Sequence, residues 1–165
     1  MQSFIKLFAA LSLVLGLGSC SKFIRYDGPQ VTRLVLMKAD RKLYLLNGKT
    51  ALKVYRVNLG FAPIGAKKFQ GDGRTPEGHY TINRRNPNSA YYLSIGISYP
   101  NAADIAYARK MGKDPGGDIF IHGGPTQWRD KARTDWTAGC ISVSNREMRE
   151  IYAMVQDGTP IDIFP

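Results

Sequence analysis

Apolar and polar residues alternate from Arg33 to Leu59, and two turn signals, Ala39-Asp40-Arg41 and Asn47-Gly48, interrupt the alternation. A period of two is typical of strands that bury one face. The pattern therefore predicts three antiparallel strands. Because Asn-Gly favours a tight turn, it also predicts that the second and third strands pair as a hairpin. Their approximate bounds are 33–38, 42–47 and 52–59.

The rest of the chain carries shorter apolar runs and two helical patterns. Ser144 and Glu147 fit a capping box, and the apolar residues after them recur at helical spacing, which predicts a helix over 145–155. A shorter helix is predicted to start near Asn101. Further strands are expected within 79–84, 91–100, 116–122, 139–143 and 161–164. The predicted fold class is therefore mainly β with short helices, an α+β arrangement.

The first twenty residues have the pattern of an export signal. Lys6 precedes an apolar run from Leu7 to Leu17 that is too short and too poorly flanked to span a bilayer as a helix. Leu17-Gly18-Ser19-Cys20 is similar to a bacterial lipobox, in which the cysteine becomes the lipid attachment site. Cleavage without a lipid is the alternative. We expect a signal peptide over 1–19, a tether over 20–31 and one domain over 32–165, held in the periplasm by the lipid on Cys20.

The chain is basic, with a formal net charge of +10. Such a charge suits nucleic acid, anionic lipid or an acidic polymer as a partner. Export makes nucleic acid unexpected and leaves the membrane and the polymers of a bacterial envelope. The length suits a single core, and we expect a monomer.

The stretch from Gly116 to Asn145 holds one of the two histidines and one of the two cysteines. His122 ends an apolar run and precedes two glycines, which places its ring at the end of a strand. Cys140 follows Gly139, whose backbone freedom permits a turn that aims the amide hydrogens of residues 139 and 140 at one point. A cysteine nucleophile needs a base that takes its proton. His122 is the expected base.

Composition and spacing alone leave three interpretations open. His122 and Cys140 form a base and a nucleophile, or they are a satisfied strand-end histidine and a small buried side chain. The third interpretation, a zinc site, needs three or four ligands, and two distant histidines with one cysteine do not supply them. We therefore expect no metal and no cofactor.

Three sequence segments, GDGRTPEGHYTI, IFIHGGP and DWTAGCISVSN, resemble the L,D-transpeptidase catalytic domain family, also called YkuD-like, and in particular its proteobacterial murein L,D-transpeptidase branch. The family pattern is His-Gly, a spacer, Ser or Thr, any residue, Gly-Cys and a β-branched residue. Here His122-Gly123 and Thr137-Ala138-Gly139-Cys140-Ile141 match it, and the likeness extends over 31–164. Many members have histidine at the position of Ala138 and arginine at that of Ser142.

The resemblance implies a β-sandwich or barrel that acts on peptidoglycan stem peptides. Cys140 would form an acyl-enzyme on the L-centre of meso-diaminopimelate and transfer it to an amine. His122 would be the base, and a backbone carbonyl near Gly123 or Gly124 would orient its ring. The expected catalytic set is Cys140, His122, Gly139 and Gly123, and the expected substrate contacts are Thr137, Trp136, Arg133 and Tyr92.

Two other functions stay open. The same thiol could give the acyl group to water, as a cysteine hydrolase that trims stem peptides or releases a cell-wall-attached lipoprotein. The chain could also be a non-catalytic lipoprotein that binds peptidoglycan. We expect a structural or surface role for His79 and a solvated position for Lys67-Lys68. The candidates to replace the arginine absent at Ser142 are Arg129, Lys131, Arg133 and the Arg84-Arg85 pair.

Overall fold

The computed structural model describes residues 21–127 and 133–165. It contains eight strands and two helices within those ranges. In chain order they are β1 (Arg33–Met37), β2 (Lys42–Asn47), β3 (Thr50–Arg56), β4 (Gly78–Asn86), β5 (Ser94–Ile97), α1 (Ala102–Lys110), β6 (Phe120–His122), β7 (Ile141–Ser142), α2 (Asn145–Met154) and β8 (Pro160–Phe164). The mainly β fold class predicted from the sequence is confirmed.

The strands form one sheet in the order β3-β2-β1-β8-β4-β5-β6-β7. The predicted hairpin is present, with β2 antiparallel to β3 and Asn47 paired with Thr50. The last strand, β8, lies in the middle of the sheet, parallel to β1 and antiparallel to β4. The sheet is curled, because single bridges join the chain that follows edge strand β3 to the other edge: Asn58 pairs with Ser142 of β7, and Gly60 pairs with Thr137.

The hydrophobic core lies on one face of the sheet, as the alternation of apolar residues predicts. Leu34 and Leu36 of β1 and Leu43 and Leu45 of β2 are fully buried. Each buried side chain of this size contributes about 1.5–3 kcal/mol relative to an exposed one. Helix α2 adds three buried residues, Met148, Ile151 and Met154.

Both helices begin where the sequence predicts. The Ser144 hydroxyl accepts a hydrogen bond from Glu147 N at 3.3 Å, and the Glu147 carboxylate accepts one from Ser144 N at 2.9 Å, which completes the capping box. Asn101 caps α1 in the same reciprocal way with Asp104. In the described ranges, neither helix has the length and apolar character needed to cross a bilayer.

The part of the predicted tether that the structure describes lies against the domain. Val31 is buried, Tyr26 packs on the core, and the rings of Phe23 and Tyr152 are 6.0 Å apart. Residues 1–19 and Cys20 lie outside the described residues, so the signal peptide and the lipid site stay predictions.

Candidate active site

His122 is the last residue of β6, and its backbone lies between Ser94 of β5 and Ser142 of β7. The residue is only 4% exposed, and its Nδ1 is 2.6 Å from the carbonyl oxygen of Gly123. A carbonyl can only accept a hydrogen bond, so Nδ1 carries the proton and Nε2 is left as an acceptor. Burial lowers the pKa of His122, although the hydrogen bond to Gly123 opposes this effect. The ring is therefore neutral at neutral pH.

Close packing at Gly123 fixes the carbonyl that orients this ring. Gly123 N donates to Leu93 O at 3.2 Å, and Gly124 N donates to the side-chain oxygen of Asn145 at 2.9 Å. A Cβ at position 123 would lie 2.5 Å from Asn145 Oδ1 and 2.9 Å from Tyr91 O, so only glycine fits. Asn145 is not among the residues predicted from the sequence, although its place as the first residue of a capped helix was an available signal.

Cys140 immediately precedes β7, and its thiol donates to Asp118 O at 3.5 Å. Burial raises the pKa of this thiol, and the negative charge of Asp118 raises it further. A backbone hydrogen bond from Phe120 and the positive charge of Lys67 act in the opposite direction. The thiol is therefore protonated at neutral pH. Within residues 21–127 and 133–165, the hydrogen bonds of the thiol and of the His122 ring do not join the two side chains.

The loop before Cys140 is held by Thr137. The Thr137 hydroxyl donates to Cys140 O at 2.7 Å and accepts from Gly139 N at 3.2 Å. Gly139 has a φ of +137°, and a Cβ there would lie 2.7 Å from Arg74 O. The sequence led us to expect that the Gly139 and Cys140 amides converge on one point. In this conformation the Gly139 amide instead donates to the Thr137 hydroxyl.

His122 and Cys140 line the same cavity, which has a volume of about 430 Å³. The His122 ring lies between two aromatic residues of the wall, with centroid distances of 4.5 Å to Tyr91 and 5.6 Å to Trp136. Three of the predicted substrate contacts, Thr137, Trp136 and Arg133, also line it. Among the described residues, Tyr91, Gln127 and Ala138 complete the lining.

Tyr92, the fourth predicted substrate contact, does not line this cavity. It has a φ of +76° and packs against the hydrophobic core, whereas its neighbour Tyr91 forms the cavity wall. The left-handed backbone at Tyr92 turns the chain at this point. The residues around Tyr92 do not reveal this turn, so the sequence does not predict that Tyr91 forms the wall in place of Tyr92.

Among the residues that the structure describes, Arg133 is the positively charged side chain that lines the cavity. The Arg84 guanidinium pairs with Asp118 at 2.9 Å, and that of Arg85 donates to Tyr152 O and Val155 O at the end of α2. Ser142 is buried and pairs with Asn58 through its backbone. Arg129 and Lys131, two further candidates for the missing family arginine, lie outside the described residues.

Two predictions about polar residues near the site have different outcomes. Lys67 is not solvated: it is buried and pairs with Asp72 at 2.9 Å. His79 is exposed on β4, where it contacts Asp162, and does not line the cavity. In the part of the chain that the structure describes, no three His, Cys, Asp or Glu side chains form a group that could hold a metal ion.

Comparison with known proteins places this site in a family. The model of the YkuD family, the L,D-transpeptidase catalytic domain, matches residues 32–163. YafK of Escherichia coli (strain K12) is 29% identical over 123 residues, which cover 69% of this chain and 44% of YafK.

Solved structures give the same result. The helical cell shape determining protein Pgp2 from Campylobacter jejuni, as its K307A mutant, is 30% identical with a TM-score of 0.63, over 84% of this chain and 48% of Pgp2. An L,D-transpeptidase from Mycobacterium smegmatis, 14% identical with a TM-score of 0.55 over 82% of this chain and 59% of its own, shares the fold. The chain spans about half the length of the relatives YafK and Pgp2. From the match over residues 32–163, the chain belongs to the YkuD family of L,D-transpeptidase catalytic domains.

Proposed function

We propose that this protein is a peptidoglycan L,D-transpeptidase that uses Cys140 as its nucleophile and His122 as its base. The observation that carries the proposal is that both side chains line one cavity, while the Gly123 carbonyl accepts the hydrogen bond from Nδ1 and leaves Nε2 of His122 as the acceptor nitrogen. A neutral acceptor nitrogen and a thiol in one cavity are what nucleophilic acyl transfer requires.

The reaction begins with the amide whose acyl residue is the L-centre of meso-diaminopimelate. Cys140 Sγ attacks the carbonyl carbon as the thiol proton passes to Nε2 of His122. The carbon–nitrogen bond then breaks, and the proton passes from His122 to the departing amine of D-alanine. An amine acceptor attacks the thioester, forms the new amide and returns the free thiol.

The protonation states of His122 and Cys140 before the reaction suit this series of steps. Burial holds the pKa of His122 below its ordinary value and the pKa of Cys140 above its own, so both groups are neutral at rest. Charge then develops only as the thiol attacks. Substrate that covers the cavity removes water and strengthens the attraction between the thiolate and the imidazolium formed in that step.

The cavity wall supplies the expected substrate contacts. Tyr91 and Trp136 offer aromatic faces beside the His122 ring, and exposed Arg133 offers a cation for a substrate carboxylate. Peptidoglycan stem peptides carry such carboxylates, and the net charge of +10 favours their approach.

The proposal includes a place in the bacterial envelope. The apolar run ending in Leu17-Gly18-Ser19-Cys20 supports export to the periplasm and a lipid anchor on Cys20. The similarity to a cell shape determining protein supports an influence on cell shape through the peptidoglycan. A cell-wall-attached lipoprotein is the further partner that this location allows.

Mass analysis of products from defined muropeptides tests the function. The wild-type protein should release D-alanine and join the acyl group to an added amine, and Cys140→Ala should do neither while keeping its melting temperature. Cys20→Ala is the matched control, because it removes the other cysteine and should leave turnover intact in detergent solution. Residual turnover by Cys140→Ala would contradict the assignment of the nucleophile.

The masses of the same products identify the molecule that accepts the acyl group. Release of D-alanine with a free carboxylic acid on the shortened peptide, unchanged by added amine, would indicate a hydrolase instead of a transferase. A wild-type protein that binds muropeptide, releases nothing and leaves Cys140 untouched by a carbapenem would be the non-catalytic alternative.

A further inference from the structure

An ion pair between distant parts of the chain lies beside the loop that carries Cys140. Arg41, in the turn between β1 and β2, contacts the Asp135 carboxylate through two nitrogens. Nε is 3.1 Å from each oxygen, and Nη2 is 2.7 Å from Oδ2. Both side chains are largely withdrawn from water, with exposures of 26% and 15%. Charge-assisted bonds with this forked geometry fix orientation as well as distance.

Each partner of the pair is itself held by backbone groups. The Arg41 guanidinium also donates to Lys38 O, and Arg41 O accepts from Val57 N at 2.9 Å. Asp135 Oδ1 accepts from Leu59 N at 2.9 Å, and Asp135 N donates to Asn58 Oδ1 at 3.3 Å. The carboxylate is therefore fixed between the β1–β2 turn and the segment that follows β3.

Asp135 has a φ of +51° and Arg41 a φ of +54°. Such left-handed backbone is unfavourable for residues other than glycine, and it persists when surrounding contacts enforce it. The ion pair supplies such a contact at both residues. Without it, the chain at Asp135 is free to relax toward an ordinary conformation and to change the direction in which residues 136–140 continue.

The segment after Asp135 connects the pair to the site. Thr137 N donates to Leu59 O at 3.2 Å, and Phe61 N donates to Thr137 O at 2.8 Å. The Thr137 hydroxyl then holds Cys140 O, and Trp136 forms the wall beside His122. A shift at Asp135 would therefore move both a wall of the cavity and the backbone of Cys140.

We propose that Arg41 and Asp135 are a positioning pair that sets the place of Cys140 relative to His122. They act through the backbone of residues 136–140 and touch neither the substrate nor the reacting atoms. The inference rests on the proposed function, since it assigns the pair a role in that reaction.

The test uses Arg41→Lys, which keeps the charge but loses the fork, and Asp135→Asn, which keeps the shape but loses the charge. The matched controls are Arg33→Lys and Asp162→Asn, which alter another long-range pair with a contact of 2.7 Å. Because small misplacement of reacting groups slows catalysis strongly, each test variant should lower kcat by about 10- to 100-fold. KM should change by no more than about threefold, since binding groups remain. The controls should keep kcat.

Hydrogen exchange supplies a measurement that needs no substrate. The amides of Thr137 and Phe61 should lose protection in both test variants and keep it in both controls, although Asp135 bonds neither amide. Unchanged kcat in a wild-type protein that turns over, or unchanged exchange at these two amides, overturns the proposal. If the wild-type protein shows no turnover, the proposed function fails, and exchange alone decides the role of the pair.

Discussion

The two histidines lie in regions that differ in burial and in the chemistry of their partners. His122 ends β6, is 4% exposed, and has Nδ1 at 2.6 Å from the carbonyl oxygen of Gly123. His79 lies on β4 with 81% of its side chain exposed, and its Nδ1 is 2.6 Å from the Asp162 carboxylate. In both histidines Nδ1 lies at the same distance from an oxygen atom. The oxygen next to His122 is a neutral carbonyl, whereas the oxygen next to His79 belongs to a carboxylate.

The difference shows how a fold can keep a histidine ring neutral and oriented without a carboxylate. A carbonyl fixes the tautomer of the His122 ring but supplies no full countercharge, so burial dominates and lowers the pKa. The Asp162 carboxylate instead lies between His79 and Arg33, in a polar cluster on the sheet surface. Only the first arrangement leaves a neutral, oriented acceptor inside a cavity.

Replacing each histidine with glutamine is the strongest test of this contrast. His122→Gln should lower kcat/KM on muropeptides by about 10²- to 10⁴-fold, because glutamine cannot accept the thiol proton. His79→Gln should leave kcat/KM unchanged, because its ring does not line the cavity. Similar losses in both variants, measured on proteins with equal melting temperatures, would remove the distinction.

The next effect concerns the carbonyl that orients the ring. Gly123→Ala places a Cβ 2.5 Å from Asn145 Oδ1, so the loop must shift and carry the Gly123 carbonyl with it. We expect kcat to fall by about 100-fold, as for other small misplacements of catalytic groups. Gly117→Ala is the matched control, because no atom lies within 4 Å of the added Cβ. Wild-type kcat in Gly123→Ala would show that the ring does not depend on this carbonyl.

The elements around both histidines could be predicted from local sequence, whereas their neighbours in the sheet could not. The Asn47-Gly48 turn predicts the β2–β3 hairpin, and Ser144 with Glu147 predicts the start of α2, because these signals act over a few residues. The central place of β8 depends on pairing with β1, more than a hundred residues earlier. Periodicity indicates a buried strand but not its partner.

In the site, too, some features could be predicted from local sequence and others depend on contacts between distant residues. Spacing left His122 and Cys140 as one interpretation among three, and the family resemblance selected it. The contributions of Tyr91 and Arg41 depend on which residues the folded chain brings together, and no local pattern marks them. The contacts of Tyr92 and of the Gly139 amide could not be predicted from the sequence, because the backbone turn at each residue decides its partner.

The pH dependence of kcat/KM and of thiol alkylation shows whether His122 and Cys140 are both neutral at rest or form an ion pair. Burial disfavours the imidazolium, so His122 should stay neutral below its ordinary pKa of 6.5, and the acid limb of kcat/KM should have its inflection below that value. Below the inflection, activity should fall about tenfold per pH unit. Alkylation of Cys140, which reports the thiolate, should rise with an inflection above 9.0. One inflection shared by both measurements would indicate a thiolate–imidazolium pair at rest.

The smallest expected effect compares two asparagines at helix N-termini. Asn145→Ala removes the acceptor for Gly124 N, a hydrogen bond of about 0.5–1.5 kcal/mol, so kcat should fall by no more than about tenfold. Asn101→Ala removes the cap of α1, which should cost about 1 kcal/mol of unfolding free energy and leave kcat unchanged. Urea unfolding and muropeptide turnover on both variants separate the effects. If Asn145→Ala lowered the unfolding free energy and left kcat unchanged, α2 would stabilise the His122 loop without affecting the reaction.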